Sequence, residues 1–122
     1  MKQPTVVKSD SYVRTFDANS VYYEDNGSPE YNLFFLHARK KELGILIKQR
    51  RYETLNNVCR MLGVREFVNG NYIGWQTDDT SVEEIVPYDI VPVNPEDDTC
   101  SEFRINFKNL TLLNLKDILK ED

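Results

Sequence analysis

The chain has 122 residues, of which 40% are hydrophobic and 29% are charged, and these proportions are typical of one compact globular domain. Its longest strongly apolar stretch, Leu33–Leu36, is far shorter than the roughly 20 residues of a membrane-spanning helix. No apolar signal-peptide segment follows Met1, so we expect a cytoplasmic protein that does not bind membranes. With 15 basic and 20 acidic residues, the net charge of −5 disfavours unspecific adhesion to nucleic acid.

The first 27 residues contain short β-branched and aromatic clusters separated by polar residues. These clusters are Val6-Val7, Tyr12-Val13 and Val21-Tyr22-Tyr23. Such a pattern predicts one or two short strands or an ordered arm over residues 1–27. Because the sequence contains no internal repeat and no long linker, we predict a single domain over residues 1–122.

A long helix is predicted from about Pro29 to Lys48, because Ser28 suits the N-cap position and Pro29 suits the first helical turn. At about 100° per residue, its apolar residues form two nearly opposite stripes. One stripe contains Tyr31, Phe34, Phe35, Ala38, Ile45 and Leu46, and the other contains Leu33, Leu36, Leu43 and Ile47. Two stripes favour a helix packed between two layers of its own domain. The alternative is a homodimer, with Phe35, Leu43 and Ile47 as candidate interface residues.

A second helix is predicted between Thr54 and Leu62, with Gly63 as its left-handed stop, so that residues 28–63 would form a helical hairpin. Asn69-Gly70 is a strong hairpin-turn dipeptide. Strands are predicted over residues 72–77, 83–93 and 102–107, and a short helix over residues 114–122. These elements predict an α+β domain in which the helices cover one face of a small antiparallel sheet spanning residues 68–113.

The sequence contains no recognisable catalytic or metal-binding motif. His37 is the single histidine and has no partner at a catalytic spacing. Cys59 and Cys100 do not form a Cys-x-x-Cys pair, which disfavours zinc binding and thiol redox chemistry. The eight acidic residues between residues 77 and 101 lack calcium-loop spacing, so a metal enzyme is the least favoured alternative. We expect no enzymatic activity, no cofactor and no bound metal.

Charge is distributed unevenly along the chain. Residues 39–65 contain eight basic and two acidic residues, whereas residues 77–101 contain eight acidic residues and no basic ones. The basic segment is a candidate binding surface for phosphates or an acidic protein. Its six candidate residues are Arg39, Lys40, Lys41, Lys48, Arg50 and Arg51. Because no interleaved aromatic residues accompany these bases, nucleic-acid binding is our second hypothesis and binding to an unidentified protein is the first.

Several stretches combine into one pattern of spacing. Residues 55–63 fit a Leu-Asn-x-Val-x-x-x-Leu-Gly helix, and Gly70 followed by Gly74-Trp75 fits a Gly-x-x-x-Gly-Trp strand start. With the opening helix at Asn32–Leu36, the pattern resembles a family of small proteins of unknown activity from bacteriophages and other mobile elements of Gram-positive bacteria. Arg51 departs from it, because the family has glycine there. The resemblance implies no catalytic residues and favours a noncatalytic accessory protein of phage or mobile-element type, located in the cytoplasm of the bacterial host cell.

Overall fold

The computed structural model describes residues 5–6, 12–25, 28–77 and 85–113, and these residues form an α+β fold, as predicted. The elements in chain order are β1 (Thr5–Val6), β2 (Val13–Phe16), α1 (Pro29–Arg50), β3 (Tyr52–Thr54), α2 (Leu55–Leu62), β4 (Ile73–Gln76), β5 (Tyr88–Pro92), β6 (Phe103–Phe107) and β7 (Thr111–Leu112). The predicted helix over residues 114–122 lies outside the described residues, as does the start of the strand predicted over residues 83–93.

The strands form two antiparallel sheets instead of the single small sheet that we predicted. One sheet has the order β1-β7-β4-β3 and the other has the order β2-β6-β5. The short strands at the beginning of the chain pair with strands near its end, with Thr5 opposite Leu112 and Phe16 opposite Phe103. Local periodicity reports which segments are strands, but it carries no information on pairing between distant segments. The division into two sheets was therefore missed.

The connection between the two helices differs from the predicted hairpin, because strand β3 lies between α1 and α2. β3 pairs with β4, with Tyr52 opposite Gln76. Arg51 caps the C-terminus of α1 in a left-handed conformation with φ of 73°, and its amide donates a hydrogen bond to the Ile47 carbonyl at 2.8 Å. Glycine adopts this conformation more readily than any other residue. The helix terminus thus has a backbone conformation that favours glycine, although arginine occupies this position.

The second helix has the predicted boundaries. The hydroxyl of Thr54 caps its N-terminus by accepting a hydrogen bond from the Asn57 amide at 3.1 Å. Gly63 ends it with a φ of 72°, which confirms the predicted left-handed stop. A Cβ atom at this position would also lie 2.7 Å from the Tyr22 ring, so this helix terminus favours glycine for two reasons.

The loop between α2 and β4 is held by a buried side chain instead of a hairpin. Residues 64–67, which the structure describes, form no strand, so Asn69-Gly70 does not join two strands. Within this loop, the Asn56 Oδ1 accepts a hydrogen bond from the Phe67 amide at 2.7 Å, and its Nδ2 donates to the Phe67 carbonyl at 2.8 Å. Gly70 lies against the same amide group, where a Cβ atom would collide with it.

One core lies between the helices and the two sheets. Its largest fully buried side chains include Trp75, Tyr88, Phe16, Phe107, Leu36, Leu43 and Ile47. The Phe107 ring contacts both Trp75 and Tyr88, with ring centroids 6.4 and 6.0 Å apart. The polar tips of these two rings are satisfied, because the Trp75 indole donates to the Lys108 carbonyl and the Tyr88 hydroxyl donates to the Leu36 carbonyl, each at 2.7 Å.

Candidate interaction surface

The two apolar stripes of α1 have different surroundings. Leu36, Leu43 and Ile47 are fully buried in the core. On the other stripe, the exposed fractions are 71% for Phe34, 49% for Tyr31 and 39% for Ile45. The prediction of a helix packed between two layers is therefore wrong for half of the second stripe, because Tyr31, Phe34 and Ile45 are exposed, whereas Phe35 and Leu46 pack against the core.

The same burial shows that the predicted dimer interface of Phe35, Leu43 and Ile47 is wrong. Leu43 and Ile47 lie in the chain's own core and are not accessible to a second molecule. Phe35 is half-buried and stacks on Phe16, with ring centroids 5.6 Å apart. The two stripes are similarly apolar, so the sequence alone did not indicate which one faces the core.

A heptad pattern follows the exposed side of α1. The residues at its a positions are Tyr31, Ala38 and Ile45, and those at its d positions are Phe34, Lys41 and Lys48. We call these six residues the outer face of α1. They lie within an arc of about 100° and extend over about 26 Å of the helix axis. Apolar residues at a and d positions form the contact seam between paired helices, and this spacing is a signal that sequence analysis missed.

The two ends of the outer face carry opposite charge. At the N-terminal end, Glu30 lines a cleft of about 190 Å³ together with Asp97 and Asp98 of the loop between β5 and β6. The cleft also has apolar walls, including Leu33 and Phe103. At the C-terminal end, Lys48 is the charged residue of the outer face, and it lies in the last turn of α1. The outer face thus runs from an acidic cleft to a basic helix end.

The six candidate basic residues do not lie together on one surface. Arg39, Lys40 and Lys41 follow one another in α1, so their side chains point about 100° apart around the helix. Lys41 and Lys48 belong to the outer face, whereas Arg51 lies at the helix terminus.

Two of the arginines pair with acidic neighbours. Arg39 contacts the Glu42 carboxylate at 3.1 Å, and Arg50 contacts the buried Glu53 carboxylate at 3.3 Å. These contacts neutralise part of the predicted basic surface.

The described residues provide little for catalysis. Among them, no group of three or more His, Cys, Asp or Glu side chains is placed to hold a metal ion. His37 lies exposed on α1. Cys59 is buried, and this burial raises the pKa of its thiol to about 12, so the thiol stays protonated near neutral pH. In the part of the chain that the structure describes, no helix is long and apolar enough to cross a membrane.

We expect the two cysteines to differ sharply in reactivity. At pH 8, an aromatic disulfide reagent should modify the half-exposed Cys100 quickly and leave Cys59 unmodified until guanidinium unfolds the protein. Burial raises the Cys59 pKa from 9.0 to about 12. Because the folded protein favours the protonated thiol, Cys59 contributes its full share to the free energy of unfolding below pH 9, and this contribution is lost as the pH rises from 9 to 12. A Cys100→Ser variant identifies the fast thiol. Rapid modification of Cys59 in the folded Cys100→Ser protein would contradict the buried placement.

Comparison with known proteins assigns a family without assigning an activity. No curated protein and no solved structure matches the chain. One family model, described as a family of unknown function, matches residues 1–112 and thus extends from the beginning of the chain to the end of β7. The chain therefore belongs to DUF6353, a family of unknown function.

Proposed function

We propose that this protein is a noncatalytic accessory protein of a bacteriophage or other mobile element, and that it acts in the host cytoplasm as a protein-interaction module. The observation that carries the proposal is the outer face of α1, where Phe34, Tyr31 and Ile45 are exposed at heptad spacing. The origin from a mobile element is supported by the spacing of residues 55–63, Gly70 and Gly74-Trp75.

A second copy of this chain is the partner that fits the outer face. An exposed apolar stripe rimmed by charged residues is a common feature of protein interfaces. Full burial of a large apolar side chain contributes about 2 kcal/mol, and each copy would bury three of them. The opposite charges at the two ends of the face suit a surface that binds itself.

We expect Phe34→Glu to convert a dimer into a monomer and to lower the free energy of unfolding of the monomer itself by no more than about 0.5 kcal/mol. Phe34 is the most exposed large hydrophobic residue of α1, so its replacement changes the surface and not the core. Light scattering after size exclusion measures the molar mass. The matched control is Val68→Glu, which places the same charge on a fully exposed valine outside α1. A Phe34→Glu protein with unchanged dimer mass would contradict the proposed surface.

Nucleic-acid binding by the basic residues of 39–51 is the alternative, and the same experiment distinguishes it. Generic DNA and RNA are added at low and at moderate salt, because phosphate contacts weaken steeply as salt increases. A dimer whose molar mass changes neither with salt nor with added nucleic acid supports the interaction module. The interaction module would be contradicted by a monomer whose measured molar mass increases with nucleic acid at low salt. In that case the increase should disappear after Arg50→Ala plus Arg51→Ala.

A further inference from the structure

We infer that two copies of this chain pack α1 against α1 in antiparallel orientation, so that Lys48 of each copy enters the acidic cleft beside Glu30 of the other. This inference rests on the proposed function, because it specifies how the homodimer is built. Two independent features of the outer face carry it: the sequence of a and d residues along the seam, and the charge at the two ends.

The seam is self-complementary when the two helices are antiparallel. A two-fold axis that passes between the two helices, at the level of residues 39 and 40, places each a position of one helix opposite a d position of the other. Phe34 then lies opposite Ile45 of the second copy, and Ala38 lies opposite Lys41. The small Ala38 side chain permits close approach at the centre, and the aliphatic stem of Lys41 covers it while its ammonium group reaches solvent.

The ends of the seam are complementary in charge. Glu30 and Lys48 lie about 27 Å apart along the helix and at nearly the same angle around it. The two-fold axis therefore brings each Glu30 close to Lys48 of the other copy. One cleft is lined by the carboxylates of Glu30, Asp97 and Asp98 and by the apolar Leu33. This lining fits a lysine side chain, which has an apolar stem and a charged tip. The symmetry forms this contact twice.

A parallel arrangement of the same two faces is disfavoured by charge. It would place Lys48 against Lys48 and Glu30 against Glu30, whereas the antiparallel arrangement separates both of these like-charged pairs, and like charges facing each other in an interface are repulsive. It would also align the two helix dipoles, whereas the antiparallel arrangement opposes them. The outer face therefore selects one orientation.

Charge reversal tests the orientation. We expect Lys48→Glu alone and Glu30→Lys alone each to weaken dimerisation about tenfold, because each creates two repulsive contacts per dimer. The variant that carries both substitutions exchanges the charges, so its dissociation constant should return to within about threefold of the original. Sedimentation equilibrium at moderate salt measures each constant. Arg65→Glu, a charge reversal on an exposed loop residue, should leave the dissociation constant unchanged.

The outcomes separate this inference from the proposed function. If the unmodified protein dimerises but the single variants bind as tightly as it does, or the double variant binds as weakly as a single one, antiparallel pairing is overturned and the interaction module stands. If the unmodified protein is monomeric at every concentration, both are overturned. Circular dichroism confirms folding of each variant. Should a reversal prevent folding, Lys48→Gln and Glu30→Gln replace the reversals, and each is expected to weaken the dimer about threefold.

Discussion

Replacing Trp75 by alanine is expected to lower the free energy of unfolding by about 4 kcal/mol. Trp75 is 1% exposed and lies in the centre of the core, where its ring contacts Phe107. Truncation removes the packing of a large ring, leaves a cavity, and deprives the Lys108 carbonyl of the indole hydrogen bond at 2.7 Å. The expected loss is a large part of the total stability of a domain of this size.

Urea denaturation followed by far-ultraviolet circular dichroism measures this loss, because the single tryptophan, and with it most of the fluorescence signal, is removed. Trp75→Phe is the matched control, since it keeps an aromatic ring and removes the hydrogen bond. We expect it to cost about 2 kcal/mol, roughly half as much as the alanine variant. A loss below about 1 kcal/mol for Trp75→Ala would contradict the central position of this ring.

The second large effect is expected for Gly74→Ala, with a loss of about 3 kcal/mol. Gly74 lies in β4 opposite Thr54 of β3, and a Cβ atom there would collide with the backbone carbonyl of Glu53. A backbone carbonyl in a paired strand cannot move aside as the end of a flexible side chain can. The two strands must therefore separate, which disturbs the segment that connects α1 to α2.

The control for this substitution is Tyr72→Ala, which lies just before β4 and is exposed. We expect the Tyr72 variant to lose less than about 1 kcal/mol in the same denaturation experiment. Equal stability of the Gly74→Ala protein and the original protein would show that β3 and β4 do not approach each other as closely as the structure has them.

The family-like pattern in the sequence consists of residues that hold the fold. Asn56 fixes the loop before β4, Gly70 makes room for the Asn56 amide, Gly74 lets β3 approach, and Trp75 fills the core. The contact of Gly74 with Glu53 joins segments that are far apart in the chain. Such contacts follow from tertiary packing and are not encoded in local spacing.

The elements with strong local signals were predicted well. The capped helix α2 and the alternating strand β6 both lie where their patterns place them. The candidate site was predicted less well, because apolar residues on both sides of α1 leave its orientation undetermined. The structure buries Leu36, Leu43 and Ile47, and this shows that the opposite side of α1, with its heptad spacing, faces solvent. The basic residues looked contiguous in sequence, but helix geometry separates them.

In the proposed function, the outer face of α1 binds a second copy of the chain. The most direct test is sedimentation equilibrium of the unmodified protein over a concentration series at moderate salt. We predict a molar mass that rises with concentration from one chain towards two and changes little when the salt is doubled, because apolar contacts dominate the seam. A molar mass equal to one chain at every concentration would contradict the claim.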